Sequence, residues 1–65
     1  MSEKIALLGT GALAREYIGI FGQTPFTVAY VDAAYAGGHA EVSGVPIETE
    51  WEKVAAQADH YVLAV

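Results

Sequence analysis

Apolar positions follow two different periods along the chain. Ile5 to Leu8 form a short continuous apolar run, entered from Lys4. Runs of this kind mark strands buried on both faces, as in parallel α/β sheets. Gly9-Thr10-Gly11 follows at once. The period then lengthens. Leu13, Ala14, Tyr17, Ile18, Ile20 and Phe21 recur at helical spacing, with Arg15, Glu16 and Gln23 on the polar side. Gly22 is a stop signal, and Pro25 stands just beyond it. Phe26 to Val31, rich in aromatic and β-branched residues, predicts a second strand that ends at Asp32.

Residues 33–44 read as a turn region centred on Gly37-Gly38-His39. Val45-Pro46-Ile47 predicts a short extended piece. Its proline lacks a ladder donor and so predicts an edge position. Thr49 and Glu52 have capping-box spacing. Trp51, Val54, Ala55 and Ala58 then form an apolar stripe for a second helix, ending at Asp59. Tyr61 to Val65 is the last predicted strand. Strand, helix, strand, short strand, helix, strand is the order of an α/β fold with a parallel sheet and right-handed crossovers. No internal repeat or low-complexity segment interrupts it.

Composition narrows the picture. The chain has 65 residues, so one domain, 1–65, is all it can hold. A domain this small buries only about 60% of its unfolded surface and is marginally stable. It has no cysteine, hence no disulfide and no thiolate zinc site. Nothing in that composition points to secretion, and a cytoplasmic location is the expectation. Three basic against eight acidic residues leave a net charge of -5 and no basic patch for a nucleic-acid backbone. No apolar run approaches the roughly 18 residues of a membrane helix. Met1-Ser2-Glu3-Lys4, which carries an acid and leads into only a four-residue apolar run, does not fit a signal peptide. Apolar residues nevertheless reach 54%, and His60 to Val65 is mostly apolar. A native C-terminus is usually polar and frayed. The chain therefore reads as a fragment, cut at a strand that continues into a longer protein.

The strongest chemical signal is Gly9-Thr10-Gly11-Ala12-Leu13-Ala14, which fits G-x-G-x-x-G/A with alanine last. Gly9 allows a sharp turn out of the strand. Gly11 lacks a Cβ, so a phosphate can reach the main chain. Ala14 is small enough for the helix to pack close to the sheet. Free amides and the positive end of the helix dipole favour an anion there. Asp32 stands about 20 residues downstream at the end of the next strand, where a carboxylate can accept from a ribose hydroxyl. The competing account is that the glycines serve packing alone and Asp32 is a solvated turn residue. A ribose contact by Asp32 would repel a 2′-phosphate, favouring NAD or a UDP group over NADP.

No catalytic constellation accompanies the loop. His39 and Glu41 do not complete a metal site, and His60 reads as a surface residue. Trp51 and the tyrosines read as core and rim. Glu48, Glu50 and Glu52 crowd a helix start, where the dipole favours them. Ser2, Ser43 and the threonines lie in no nucleophile elbow. The expected catalytic set is empty, as is the metal set.

Four stretches carry a family resemblance: residues 9–16, Val28 to Asp32, Gly44-Val45-Pro46-Ile47 and Asp59 to Ala64. Together they resemble the PglD-type N-terminal domain of bacterial sugar O- and N-acyltransferases, which include sialic-acid and UDP-amino-sugar acetyltransferases. The Arg15-Glu16 pair and the Gly-Val-Pro-Ile step are its most specific parts. Ala12 and Leu13 depart from it, since many members have a glycine followed by histidine or an aromatic there. Ala33 and Ala34 depart too, where many have further acids. The resemblance implies a small Rossmann-like, three-layer fold that binds a nucleotide-sugar acceptor such as a UDP-sugar. It implies that Gly9, Thr10, Gly11 and Ala12 line the phosphate side, with Asp32 and Ala33 toward the nucleoside. It also implies a left-handed β-helix, absent from this chain, that binds acetyl-CoA, supplies the catalytic histidine and makes the full-length protein a homotrimer. No cofactor is expected in the chain itself. Two other classes stay open on the residues: the NAD-binding half of an oxidoreductase, and a ligand-free α/β domain for oligomer contacts or regulation.

Overall fold

A computed structural model describes residues 3–65. The signal-peptide reading at Met1-Ser2 and the exclusion of Ser2 as a nucleophile lie outside the described residues. The elements are β1 (Ile5–Leu8), α1 (Ala12–Phe21), β2 (Phe26–Tyr30), a 3-10 turn (Ala33–Tyr35), β3 (Glu41–Val42), β4 (Val45–Glu48), α2 (Trp51–Gln57) and β5 (His60–Leu63). Among the described residues no helix is long and apolar enough to cross a membrane.

The fold is α/β, with one five-stranded sheet in the order β3-β4-β2-β1-β5. β1 lies inside the sheet, parallel to both β2 and β5, and β4 is parallel to β2. The sheet is mixed rather than wholly parallel, because β3 runs antiparallel to β4. The reason is a two-residue turn. Ser43 and Gly44 both have positive φ, 47° and 89°. That pair of conformations makes a tight hairpin matched to the twist of its strands.

The sheet is apolar on both faces. Leu7, Ala14, Ile18, Phe26, Ala29, Val42, Val45 and Ala64 form the larger cluster, with α1 covering it. Ala6, Val28 and Val54 form the smaller one, under α2. Neighbours Ala6 and Leu7 thus bury on opposite faces, as strand alternation requires. A register shift after Ile5 leaves Thr27 without a partner in β1 and puts Phe26 on the face of Leu7. The Thr27 hydroxyl donates to the carbonyl of Gln57 at 3.0 Å, tying the start of β2 to the end of α2.

Three expectations are corrected. Pro46 does not put β4 at an edge, because β4 lies between β2 and β3. Its ladder to β2 starts at Ile47, one residue past the proline, so the missing donor breaks no bond within it. Thr49 does not cap α2. Glu48 accepts from the amides of Thr49 and Glu50 at 2.9 and 3.2 Å, and Glu50 becomes the N-cap residue. The apolar stripes are narrower than their spacing predicts. Ala14 and Ile18 are the fully buried positions of α1, and Val54 is that of α2. Ile20 and Phe21 remain exposed, and Trp51 stays partly open to solvent although its ring meets those of Tyr30 and Tyr61.

Candidate functional site: the glycine loop and the adjoining cleft

Gly9 leaves β1 at φ +134°, a conformation that L side chains rarely adopt. Its amide donates to the carbonyl of Tyr30 at 2.9 Å and anchors the loop to β2. An added Cβ would sit 2.5 Å from the Ala64 carbonyl oxygen. The sharp turn expected of Gly9 is therefore present, and β5 closes it from one side.

Gly11 is held differently. It is the N-cap residue of α1, with φ -86° and ψ -155°, values open to any residue. Nothing lies within 4 Å of where its Cβ would be. Its carbonyl accepts from Arg15 at 3.2 Å, starting the helix. No side chain caps α1, and its first turn contains no acid. The amides at the helix start thus have no capping side chain, and they lie at the positive end of the helix dipole. Ala14 is completely buried, in keeping with close packing of helix on sheet.

Beside this loop lies a cleft of about 400 Å³ with a mainly polar lining. Thr10, Gly11 and Arg15 form one wall. Tyr35, Gly37 and His39 approach from the segment after β2, and Glu41, Ser43 and Ile47 from the hairpin and β4. Among the described residues no ion pair engages Arg15, whereas Lys53 is bound to Glu50 at 2.7 Å. Arg15 is thus a cation within reach of anything the helix start attracts. No three His, Asp or Glu side chains converge on a metal-sized position among the described residues.

Of the six residues singled out by sequence, Thr10 and Gly11 line the cleft. Gly9 lies behind it against Ala64, and Ala12 is exposed at the first position of α1. Asp32 and Ala33 begin the segment whose later residues form the far wall. One carboxylate oxygen of Asp32 accepts from the Ala34 amide at 2.9 Å and caps the 3-10 turn. Asp32 therefore has a structural task, and its side chain remains exposed.

Arg15, His39, Glu41 and Ser43 are cleft residues that sequence reasoning left on a wet helix face or in an unstructured turn. Two signals pointed to them. Arg15 is four residues after Gly11 and so lies one turn up the same helix face. Val42-Ser43-Gly44-Val45 is a two-residue turn between apolar residues, a hairpin signature that folds Glu41 and Ser43 back toward the loop. No family model matches the chain, and no curated protein or solved structure matches it.

Proposed function

We propose that this chain is a nucleotide-sugar-binding domain, the acceptor-binding part of a bacterial sugar acyltransferase. The observation that carries the reading is the unobstructed Gly11 at an uncapped helix start, bordering a polar cleft. In open α/β sheets ligands bind outside the carboxyl ends of the strands. The loop after β1 lies at that end. A diphosphate laid over Gly11 would accept hydrogen bonds from main-chain amides at the start of α1, and Arg15 would add a charged donor. The cleft would take the nucleoside, with Tyr35 offering an aromatic face and Ser43 a hydroxyl.

In this proposal the chain binds and orients; acetyl-CoA and the catalytic histidine belong to a left-handed β-helix outside it. Its own residues hold the nucleotide so that the sugar projects from the strand ends. The family resemblance supports the choice of a UDP-sugar over a dinucleotide, and the Rossmann-like character belongs to the same reading.

Thermal unfolding with UDP-sugar, UDP and NADH tests it. A ligand at 100 times its Kd adds roughly 2.7 kcal/mol. About 1 kcal/mol moves the Tm of a domain this size by roughly 4–8 °C. The expected result is a clear rise with UDP-sugar and UDP. A rise with NADH alone, or with none of the three, overturns the proposal.

A further inference from the structure

The segment from Asp32 to Ala40 is fastened at its two ends and free between them. Both fastenings are to β4. The Val31 amide donates to the Glu48 carbonyl at 3.2 Å, and the Ile47 amide donates to the Ala40 carbonyl at 2.9 Å. The hydrogen bonds between these points are local. The Ala34 amide donates to the Asp32 carboxylate at 2.9 Å, and the Tyr35 amide to the Asp32 carbonyl at 2.8 Å. The His39 amide donates to the Ala36 carbonyl at 3.2 Å, across Gly37 and Gly38 with φ of 64° and 78°. Two successive positive φ values make a tight type I′ turn. Among the described residues, no hydrogen bond or ion pair ties Ala33 to His39 to the rest of the chain. None of these residues is fully buried or joins an apolar cluster. Such a strap keeps its own shape while little holds it in one position.

The strap carries one aromatic ring. Tyr17, Tyr30 and Tyr61 each pair with another ring. Tyr35 pairs with none among the described residues and is 79% exposed. It lines the cleft together with Gly37 and His39, while Gly11 and Arg15 line it from α1. We infer that the strap is a lid, which swings on its anchors at Val31 and Ala40 and lays Tyr35 on the base of a nucleotide whose phosphates sit at Gly11. This rests on the nucleotide reading above and adds what selects the ligand. An aromatic ring stacks on the face of any base. The lid therefore grips a nucleoside and gives nothing to a bare phosphate. Swinging the strap as a unit breaks none of the hydrogen bonds inside it. Closure also keeps water from the phosphates, which strengthens their attraction to Arg15.

Isothermal titration of wild type and Tyr35→Leu with UDP and with inorganic pyrophosphate tests the inference, together with amide hydrogen exchange of residues 33–40. Tyr35→Leu is expected to bind UDP roughly tenfold more weakly, the scale of one lost base stack. Its affinity for pyrophosphate is expected to match wild type, and Tyr35→Trp is expected to retain UDP binding. UDP should slow exchange at the strap amides, and pyrophosphate should leave them fast. Amides in so exposed a segment exchange by local opening, so their slowing reports closure rather than global stability. Wild-type UDP affinity in Tyr35→Leu, or strap exchange that UDP leaves unchanged, overturns the lid while the nucleotide reading stands. Equal weakening of UDP and pyrophosphate in Tyr35→Leu, or equal slowing of the strap by both, overturns it too, because pyrophosphate has no base to stack. Failure of UDP to bind wild type overturns both readings.

Discussion

The two sides of the glycine loop obey different constraints. Toward β5 the loop is closed. Gly9 has a positive φ, and a Cβ there would strike the Ala64 carbonyl at 2.5 Å. Toward β2 and β4 it is open. Gly11 has ordinary dihedrals and no neighbour within 4 Å of a Cβ. The motif therefore holds one glycine that the fold demands and one that the fold does not. A glycine with no structural need for its missing side chain, beside a polar cleft, is the position to examine for a ligand.

The largest expected effect lies on the closed side. Gly9→Ala stores about 1–3 kcal/mol of backbone strain before the clash with Ala64 adds to it. In a domain of marginal stability this removes most or all of the cooperative thermal transition. An unchanged melting curve would mean that β1 and β5 are not held together at Gly9.

On the open side the expected pattern reverses. Gly11→Val changes stability by no more than about 1 kcal/mol, the scale of an N-cap substitution. It removes the thermal shift with UDP-sugar, because a side chain then occupies the approach to the amides. Retained ligand response in this variant would place the site elsewhere.

Arg15→Gln comes next. Loss of a hydrogen bond from a charged donor is worth about 1.5–3 kcal/mol, or roughly tenfold or more in Kd. Isothermal titration at two salt concentrations checks it, and the variant should show the weaker salt dependence. Equal affinity in variant and wild type would remove Arg15 from the site.

A smaller effect is expected for Asp32→Ala, which loses the cap on the 3-10 turn. The usual cost of a lost cap is about 1 kcal/mol. If the free carboxylate oxygen also meets a ribose, the variant loses affinity as well as stability. A drop in Tm with the ligand response intact assigns Asp32 to the turn alone.

The smallest effect concerns Lys53, far from the loop. The hydrogen bond and charge of Glu50, and then the charge of Glu48, hold its ammonium above the ordinary 10.5. A raised folded value stabilises the protein fully below 10.5 and loses that contribution as the pH climbs through the higher folded value. Both side chains are exposed, so the change is slight. Lys53→Met should melt just below wild type at neutral pH, and the gap should close in strongly alkaline buffer.

Much of the fold was legible because burial on two faces leaves a plain signature. Ile5 to Leu8 and Phe26 to Val31 read as strands, and the structure places β1 and β2 there within a residue. The helix between them, ended by Gly22, was equally clear. Residues 33–44 were opaque. β3 is two residues long, too short to show a period, and only its pairing with β4 defines it. The helix-spacing pattern also overstated burial. Periodicity marks a face, but a face is buried only where another element covers it, and Ile20 and Phe21 stay exposed.

By itself, the sequence determined the succession of strands and helices apart from β3, the turn at Gly9 and the opening of α1 at Gly11. These depend on local conformational freedom and on hydrophobic period, which each short segment carries within itself. Tertiary structure alone decided the placement of β4 inside the sheet and the convergence of Arg15, Tyr35, His39 and Ser43 on one cleft. Each of these depends on which strands become neighbours. That choice is made by burying two apolar faces at once, between segments far apart in the chain.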